Sequence, residues 1–409
     1  MSPPASATSA PPGIDLGDPG LYARGTPHEL WRRLRVESPV FWNAPRSGRP
    51  GFWALTRYED AVQVLRDASR FSSEGGNMLS TLARGADPAA GRMLVVTDAP
   101  RHLKLRQLLA RAFAPRTLER LEQTMRATAR ALVAKAVEQG ECDFVADVAA
   151  RYPVAVICDL LGVPRADWPL MLELTSVAFA SDEEPGGETP PAVRAAHSRI
   201  LLYYAQLADE RRRQPRDDLI SVLAGAQIDG IPLTTEEILL NCDNLIIGGN
   251  ETTRHAAAGG LLAFAELPGE WRRLQRDPRL VPSAVEEILR WTSPVMHVLR
   301  VAREDVEVRG STVAAGEPVT VWLAAANRDD AIFAEPGRFD VGRAPNDHLT
   351  FAWGSHVCLG AFLARLELRV LLEELLARVR VSTLGGEPER VASTFVCGLK
   401  RLPLSLTAL

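Results

Sequence analysis

The spacing of apolar residues predicts a mainly helical chain with a small β part. From Pro100 to about Leu267, apolar positions recur with a period of about 3.6 residues, interrupted at prolines and at the stretch 182–191. Alternating runs typical of strands stand mostly late in the chain, at 297–302, 304–308, 316–323, 391–398 and 402–406. The pattern therefore indicates a mainly α architecture with a small β part, and not an alternating βαβ sheet.

The sequence of the N-terminal region predicts a helix, a β-hairpin, a long loop and a tail. Residues 27–36 form a helix that begins at a proline, and residues 39–57 form a β-hairpin around a turn rich in Pro, Gly and Arg. The glycine-dotted stretch 71–97 is long enough to indicate a functional loop. Residues 1–13 are rich in Pro, Ala and Ser and predict a disordered tail. With no linker or repeat, residues 14–409 predict a single domain.

Composition excludes several classes of protein. The 47 basic and 51 acidic residues are interspersed and give a net charge of −4, so nucleic acid is not an expected partner. The longest nearly apolar stretch, Ala256–Ala265, is shorter than the roughly 20 residues of a membrane span, and no signal segment is evident. We expect a cytoplasmic protein with no membrane association. Five widely spaced cysteines indicate neither a disulfide framework nor a CxxC zinc site.

One cysteine stands in a distinctive segment. Residues 351–360 read FAWGSHVCLG, and the helical pattern AFLARLELRVLLEELL follows directly. A helix N-terminus favours the thiolate of Cys358, and the flanking glycines let the backbone approach a flat ligand. Ligation of iron by a thiolate uses this arrangement. The alternative is a buried structural cysteine at a helix cap, an interpretation that suits Cys142, Cys158, Cys242 and Cys397.

The spacing F-x-x-G-x-H-x-C-x-G resembles the haem-binding signature of the cytochrome P-450 superfamily. Ala352 and Trp353 depart from the smaller residues often found there. The resemblance extends from about Asp15 to Leu409. It implies the single-domain cytochrome P-450 fold and a haem b cofactor (iron protoporphyrin IX). It makes Cys358 the metal ligand, with Phe351 and Gly360 beside the haem.

A second segment is similar to the distal oxygen-binding helix of this family. Residues 245–253 read LIIGGNETT, and two adjacent glycines cost a helix roughly 1 kcal/mol each relative to alanine. Close approach of a ligand explains them, while a loosely packed helix crossing is the alternative. The resemblance implies that Gly249 and Thr253 contact haem. It makes Glu251 and Thr252 a catalytic proton relay.

Two charged sets complete the resemblance. Glu287 and Arg290 look like the family's E-x-x-R pair, with Arg338 completing the ion network, although a surface pair is the ordinary explanation of an E-x-x-R on a helix. The resemblance also implies four donors to the two haem propionates, which are His102, Arg106, Arg300 and His356.

The implied reaction is monooxygenation by reductive activation of dioxygen. Electrons from NAD(P)H would arrive through a separate ferredoxin and ferredoxin reductase, docking on the Cys358 face near Arg111 and Arg365. We expect a monomer. A haem-thiolate gas sensor and a peroxide-driven peroxygenase are alternatives, against which the intact Glu251–Thr252 pair argues.

The expected substrate presents apolar surface, because the family positions that would line the pocket are mostly apolar. The segments GNMLSTL, GGNETTRH and SPVMHVLR are similar to segments of enzymes from actinomycete natural-product clusters. The similarity is greatest to those enzymes that act on amino acids or peptides, free or carrier-bound. Macrolide and terpenoid hydroxylation are alternatives, and hydroxylation, epoxidation and oxidative coupling stay open. The expected substrate-binding residues are Met78, Phe179, Leu245, Gly248, Val295, His297, Thr394 and Phe395.

Overall fold

The computed structural model describes residues 14–179 and 190–409, apart from positions 26, 47, 86 and 114. The predicted tail, residues 1–13, lies outside the described residues. In the described part the helices are α1 (Gly20–Ala23), α2 (His28–Glu37), α3 (Tyr58–Arg66), α4 (Leu79–Ala83), α5 (Arg101–Ala110), α6 (Pro115–Gln139), α7 (Arg151–Leu161), α8 (Trp168–Phe179), α9 (Pro191–Arg213), α10 (Leu219–Ala224), α11 (Thr235–Glu266), α12 (Pro268–Arg276), α13 (Val281–Thr292), α14 (Leu323–Ala326) and α15 (Ala361–Leu376).

Strands make up the smaller share of the described residues, so the mainly α prediction is confirmed. They are β1 (Val40–Asn43), β2 (Phe52–Leu55), β3 (Phe71–Ser72), β4 (Glu141–Asp143), β5 (Gln227–Ile228), β6 (Ile231–Pro232), β7 (His297–Ala302), β8 (Val306–Val308), β9 (Ser311–Val313), β10 (Pro318–Trp322), β11 (Val379–Leu384), β12 (Glu389–Arg390), β13 (Leu399–Arg401) and β14 (Pro403–Ala408).

The largest sheet contains the predicted hairpin. β1 pairs antiparallel with β2, with Val40 opposite Leu55. β10 joins β2 in parallel and β7 antiparallel, which gives the order β1-β2-β10-β7-β3. All residues of β1 and β2 are buried. The sheet is therefore a fixed platform that holds β7, and with it Arg300, against the helical part of the molecule.

The long helix α11 crosses the helical core. Its N-terminus is a capping box, in which the Thr234 hydroxyl accepts from the Glu237 N–H and the Glu237 carboxylate accepts from the Thr234 N–H. α11 packs against α7, α9, α13 and α15, so its apolar stretch Ala256–Ala265 is core and mostly buried. Within the described residues, no helix combines the length and hydropathy of a membrane span.

A buried ion network ties α13 to the segment before the cysteine loop. Glu287 and Arg290 are completely buried and joined by two hydrogen bonds of 2.8 Å. The third member is Arg343, whose Nε lies 3.0 Å from the Glu287 carboxylate. The prediction of Arg338 in this role is wrong: its exposed side chain pairs with Glu335, and only its backbone carbonyl, which accepts from Arg290 and Arg343, joins the network.

Candidate active site

A large internal cavity lies where α5, α11, β7 and the start of α15 meet. Its empty space, mouth included, is about 1360 Å³. The predicted site residues that lie on its wall are His102, Arg106, Leu245, Gly248, Gly249, Thr252, Thr253, Val295, Phe351, His356, Cys358, Gly360 and Phe395.

The loop before α15 turns back on itself and points the cysteine into this cavity. The Cys358 N–H donates to the Phe351 carbonyl at 2.9 Å. Ala352 and Gly354 have φ angles of 58° and 76°, in a region that costs an L residue roughly 1–2 kcal/mol. At Gly354 a Cβ would also collide with the backbone oxygen of Leu65, so only glycine fits. The signature glycine is therefore required by the path of the backbone.

The Cys358 thiol differs from the structural cysteines in its surroundings. Solvent reaches it inside the cavity, while protein surrounds it on its other sides. Burial raises the pKa of this thiol, but the Gly360 N–H and the charges of Arg106 and Arg365 oppose the rise. At Cys142 burial, and then the neighbouring carboxylates, raise the pKa to about 11. Cysteines that fit the structural interpretation are Cys142, Cys158 and Cys242, all buried.

A charged clamp that the sequence did not predict covers the cysteine loop. The Arg365 guanidinium lies 4.5 Å from the centre of the Phe351 ring and donates two hydrogen bonds of 2.8 Å to Glu286. His348 Nε2 lies 3.2 Å from the same carboxylate. Although burial alone would raise the pKa of Glu286, these partners lower it to about 2. Arg365, expected to meet an acidic partner protein, is therefore already paired within the chain.

The predicted propionate donors gather at one end of the cavity. The rings of His102 and His356 stack with centroids 3.9 Å apart. His356 Nε2 lies 3.3 Å from the Ser73 hydroxyl, whereas His102 Nε2 is buried without a hydrogen-bond partner among the described residues. Arg106 lines the same wall, and the buried Arg300 donates to a neighbouring backbone carbonyl at 2.7 Å. These four side chains, distant in sequence, form one cluster.

This cluster is incompletely compensated, because the nearby carboxylate of Asp98 is already paired with Arg303. Burial and then the positive charge of Arg300 lower the pKa of His356 to about 3, and burial lowers that of Arg300 itself to about 10. Burial, followed by Arg106, lowers the pKa of His102 as well. Buried donors that repel one another are stabilised by a bound anion. Two propionate carboxylates next to a thiolate ligand fit this end of the cavity, so the residues present fit a haem.

The acid and the alcohol of α11 do not touch each other. The Thr252 hydroxyl lies on the cavity wall and donates to the Gly248 carbonyl at 2.7 Å. Glu251 is buried behind the wall, where Arg254 donates to it at 2.6 Å and His255 Nε2 lies 3.2 Å away. Its second carboxylate oxygen has no partner among the described residues. A relay between the two residues therefore requires the Glu251 side chain to turn or a water to bridge them.

The adjacent glycines Gly248 and Gly249 of α11 are explained by different structural requirements. A Cβ at Gly249 would lie 3.1 Å from the Ile157 side chain, so this glycine allows α7 to pack closely. A Cβ at Gly248 would meet no atom within 4 Å, because Gly248 faces the cavity. Helix crossing thus explains Gly249, which still borders the cavity, and space for a ligand explains Gly248.

Three predicted substrate residues lie behind the wall and not on it. His297 is fully buried, where its Nε2 accepts from the Leu79 N–H and its Nδ1–H donates to the Thr394 carbonyl, both at 3.1 Å. Burial lowers its pKa to about 4, so the ring is neutral. Asn77, and not Met78, lines the cavity. We therefore correct the prediction for Met78, His297 and Thr394, which support the wall. The side chain of Phe179 lies outside the described residues.

One further carboxyl group on the wall was missed. Glu367 lies on α15 and is buried, with one oxygen lacking a hydrogen-bond partner among the described residues. Burial raises its pKa well above the ordinary value, which favours the protonated form. The available signal was its position between Leu366 and Leu368, on the apolar stripe of the helix.

Comparisons with known proteins agree with this geometry. A family model for cytochrome P450 matches residues 192–408. Cytochrome P450 NovI of Streptomyces niveus is 42% identical over 96% of each chain, and linalool 8-monooxygenase of Pseudomonas putida is 34% identical over 96% of this chain and 98% of its own. The crystal structure of P450 OxyD, which is involved in the biosynthesis of vancomycin-type antibiotics, has a TM-score of 0.89 and 39% identity over 97% of this chain and 100% of its own. The chain belongs to the cytochrome P450 family and is a P450 monooxygenase.

Proposed function

We propose that this monooxygenase holds haem b through Cys358 and oxidises an apolar natural-product intermediate derived from an amino acid or a peptide. The observation that supports it most is the meeting of an accessible thiol with a cluster of two guanidinium groups and two imidazoles, one of which, His102, has a ring nitrogen without a partner among the described residues. Iron protoporphyrin requires a ligand for its iron, which the thiol supplies, and hydrogen-bond donors for its two carboxylates, which the cluster supplies.

Two groups of residues hold the cofactor. Cys358 ligates the iron, and the Arg365–Phe351 stack shields the sulfur from water on the side away from the cavity. Glu286 keeps Arg365 in place through its two hydrogen bonds. The second group, which binds the propionates, consists of His102, Arg106, Arg300 and His356.

The haem, when bound, supplies reductive activation of dioxygen, in which two electrons and two protons are consumed, one oxygen atom enters the substrate and the other leaves as water. Thr252 holds a proton at Oγ1 on the cavity wall. Glu251 is the acid behind it and replenishes that proton after turning out of its contacts with Arg254 and His255. A haem protein that only binds gas needs no such pair.

Electrons come from NAD(P)H through a separate ferredoxin and ferredoxin reductase. The surface beside the cysteine loop supports docking there, because Trp353 and Phe362 are 40% and 64% exposed. Exposed aromatic side chains of this kind are typical of interaction sites. The exposed Arg111 contributes positive charge for an acidic partner, whereas Arg365 is neutralised by Glu286.

The walls of the cavity support an apolar substrate. Leu94, Leu245, Val295, Val298 and Phe395 contribute side chains, and polar groups are few on the described wall. Similarity to OxyD supports an amino-acid- or peptide-derived intermediate, free or carrier-bound. Similarity to linalool 8-monooxygenase supports a terpenoid as the second candidate.

The test of the cofactor assignment is the reduced, CO-bound spectrum. We expect the strongly red-shifted Soret band of thiolate-ligated iron in the parent and its loss in Cys358→Ala. Serine variants of Cys142, Cys158, Cys242 and Cys397 serve as matched controls and should keep the band. A histidine-type CO spectrum in the parent would contradict ligation by Cys358.

The test of the substrate class is a spectral binding screen. Aromatic amino acids, their carrier-protein thioesters and linear terpenoid alcohols should be compared under one condition, followed by product analysis with ferredoxin, reductase and NADPH. Binding and turnover of amino-acid substrates alone supports the proposal. Turnover of terpenoids alone would replace it with the second candidate, and turnover with hydrogen peroxide but not with reductase would indicate a peroxygenase.

A further inference from the structure

A second cavity lies along α11, nearer the C-terminal end of the helix than the proposed haem site. It has about 850 Å³ of empty space, mouth included, and no residue lines both cavities. Its walls come from the start of α2, the C-terminal half of α11, the end of α13 and the β12–β13 hairpin. The wall includes Arg328, Arg390 and His28, whereas its one described carboxylate, Glu266, is exposed. The charged groups of the lining are therefore two guanidiniums and one exposed carboxylate.

Arg328 is held rigidly in this cavity. It is only 5% exposed, and its guanidinium carbon lies 4.0 Å from the centre of the Trp291 ring. Two of its N–H groups donate to the carbonyls of Pro336 and Trp291, each at 3.2 Å. A guanidinium has five donors, so the others remain for a ligand. Aromatic stacking together with free donors gives a preorganised surface for an anion.

The positive charges at this site are not compensated. Within the described residues, neither Arg328 nor Arg390 has an ion pair with a carboxylate, and Arg290 next to them is already neutralised by Glu287. Burial and then Arg290 lower the pKa of Arg328 to about 9. Crowding by protein and then Arg328 and Arg390 lower the pKa of His28 well below its ordinary value. A buried positive field without counter-ions is stabilised by a bound anion.

We propose that this second cavity binds a small ligand bearing an oxyanion, a phosphate or a carboxylate, between Arg328, Arg390 and His28. The anion receives charge-assisted hydrogen bonds from the two guanidinium groups. Trp291, Leu262 and Leu399 form an apolar wall for the body of the ligand. The site does not depend on the proposed substrate or on the propionate assignment.

The position of the cavity connects it with α11. His255 lines the cavity and lies 3.2 Å from the carboxylate of Glu251, the residue before Thr252. The anion thus lies near the C-terminal half of the helix, with one histidine between the cavity and the buried acid.

Equilibrium dialysis of the holoenzyme, at constant ionic strength, tests the site with inorganic phosphate and with benzoate as probes. We expect saturable binding of one anion per chain. Arg390→Gln should weaken it about tenfold or more, because a hydrogen bond to a charged group is lost. Arg328→Gln should weaken it at least as much. Arg272→Gln, which removes an exposed cation from α12, is the matched control and should bind like the parent.

The binding experiment still decides between the presence and the absence of the site if one variant does not fold. Should the buried Arg328 tolerate no replacement, Arg390→Gln and His28→Gln still decide the question. Binding of phosphate, of benzoate or of both, reduced in these variants but not in Arg272→Gln, supports the site, and competition between the probes identifies the preferred anion. Absence of saturable binding, or unchanged binding in the Arg390 and His28 variants, overturns the proposal.

Discussion

The two buried charge clusters of this protein have opposite balances. The network of Glu287, Arg290 and Arg343 lies where α13 meets the chain before the cysteine loop, and its hydrogen bonds of 2.8–3.0 Å join carboxylate to guanidinium. The cluster of His102, Arg106, Arg300 and His356 gathers imidazoles and guanidiniums with no carboxylate among its four members. His102 Nε2 has no partner there among the described residues.

The compensated network stabilises the fold, whereas we expect the second cluster to bind a ligand. Removing one member of a compensated pair leaves a buried charge that the fold cannot neutralise. Removing one member of an uncompensated cluster relieves repulsion within the fold and weakens only the binding of the missing anion. The second cavity, with Arg328 and Arg390, resembles the uncompensated cluster, and for that reason we assign a ligand to it.

The largest expected effect is at the compensated network. Glu287→Ala leaves Arg290 and Arg343 without their carboxylate and should destabilise the protein by about 3–5 kcal/mol, giving little soluble holoprotein. Soluble yield and urea unfolding measure this. Glu335→Ala removes the exposed partner of Arg338 and should change stability by less than about 0.5 kcal/mol. Normal expression and stability of Glu287→Ala would contradict the contrast.

The uncompensated cluster should respond in the opposite way. Arg300→Leu removes a desolvated cation, so the fold should not lose stability, but a propionate loses a partner worth roughly 1.5–3 kcal/mol. Transfer of haem to an acceptor such as apomyoglobin should become about tenfold faster. Arg279→Leu, at a site 90% exposed, is the control and should lose haem at the parent rate. Loss of haem from Arg300→Leu at the parent rate would contradict the contrast between the two clusters.

The clamp at Glu286 should show a smaller effect that depends on pH. The pKa of Glu286 is lowered from 4.5 to about 2, so its carboxylate contributes stability that is present above about pH 4.5 and is lost as the pH falls toward 2. At pH 7 Glu286→Gln should lose roughly 1–3 kcal/mol, and the difference from the parent should shrink on acidification. Urea unfolding at pH 7 and pH 3 measures it, with exposed Glu304→Gln as control. An equal difference at both pH values would exclude the charged clamp.

The smallest effect on stability is expected at Thr252. Its hydroxyl bonds only to the carbonyl one turn earlier, a contact that contributes little to a helix. Thr252→Ala should therefore fold and retain haem like the parent, while the ratio of product to NADPH falls severalfold and hydrogen peroxide is released. Thr253→Ala is the matched control from the next position. If Thr252→Ala keeps the parent ratio, the relay does not run through this hydroxyl.

Local features of the fold followed from local patterns. The hairpin of β1 and β2, the helix starting at His28 and the helix after Cys358 were predicted because periodicity and turn residues act over a few positions. The error at Arg338 has a physical cause. Arg338 and Arg343 lie five residues apart in an irregular segment, and only the path of that segment past α13 decides which guanidinium reaches Glu287.

The predictions for site residues likewise succeeded where they depended on local motifs and failed where they depended on tertiary placement. Cys358, Thr252 and the glycines at 248, 249 and 360, which line the cavity, were predicted from contiguous motifs. His297 was misplaced because an isolated histidine in a strand has no local signal for which side of the wall it occupies, and its bonds run to Leu79 and Thr394. Glu286 and Glu367 were missed, and Arg365 was assigned to a partner protein, because charged residues on a helix ordinarily face water.

By itself, the order of residues determined the fold class, the cysteine proposed to bind iron and the acid–alcohol motif, since each depends on neighbours along the chain. Tertiary structure alone decided which charges are compensated. Glu287 pairs with Arg290 on its own helix and with Arg343 from the segment before the cysteine loop, whereas Arg300 and Arg328 are buried without an ion pair to a carboxylate among the described residues. Charge balance in a protein interior depends on distances between residues far apart in sequence, because Coulomb energy follows separation in space and local dielectric rather than position in the chain.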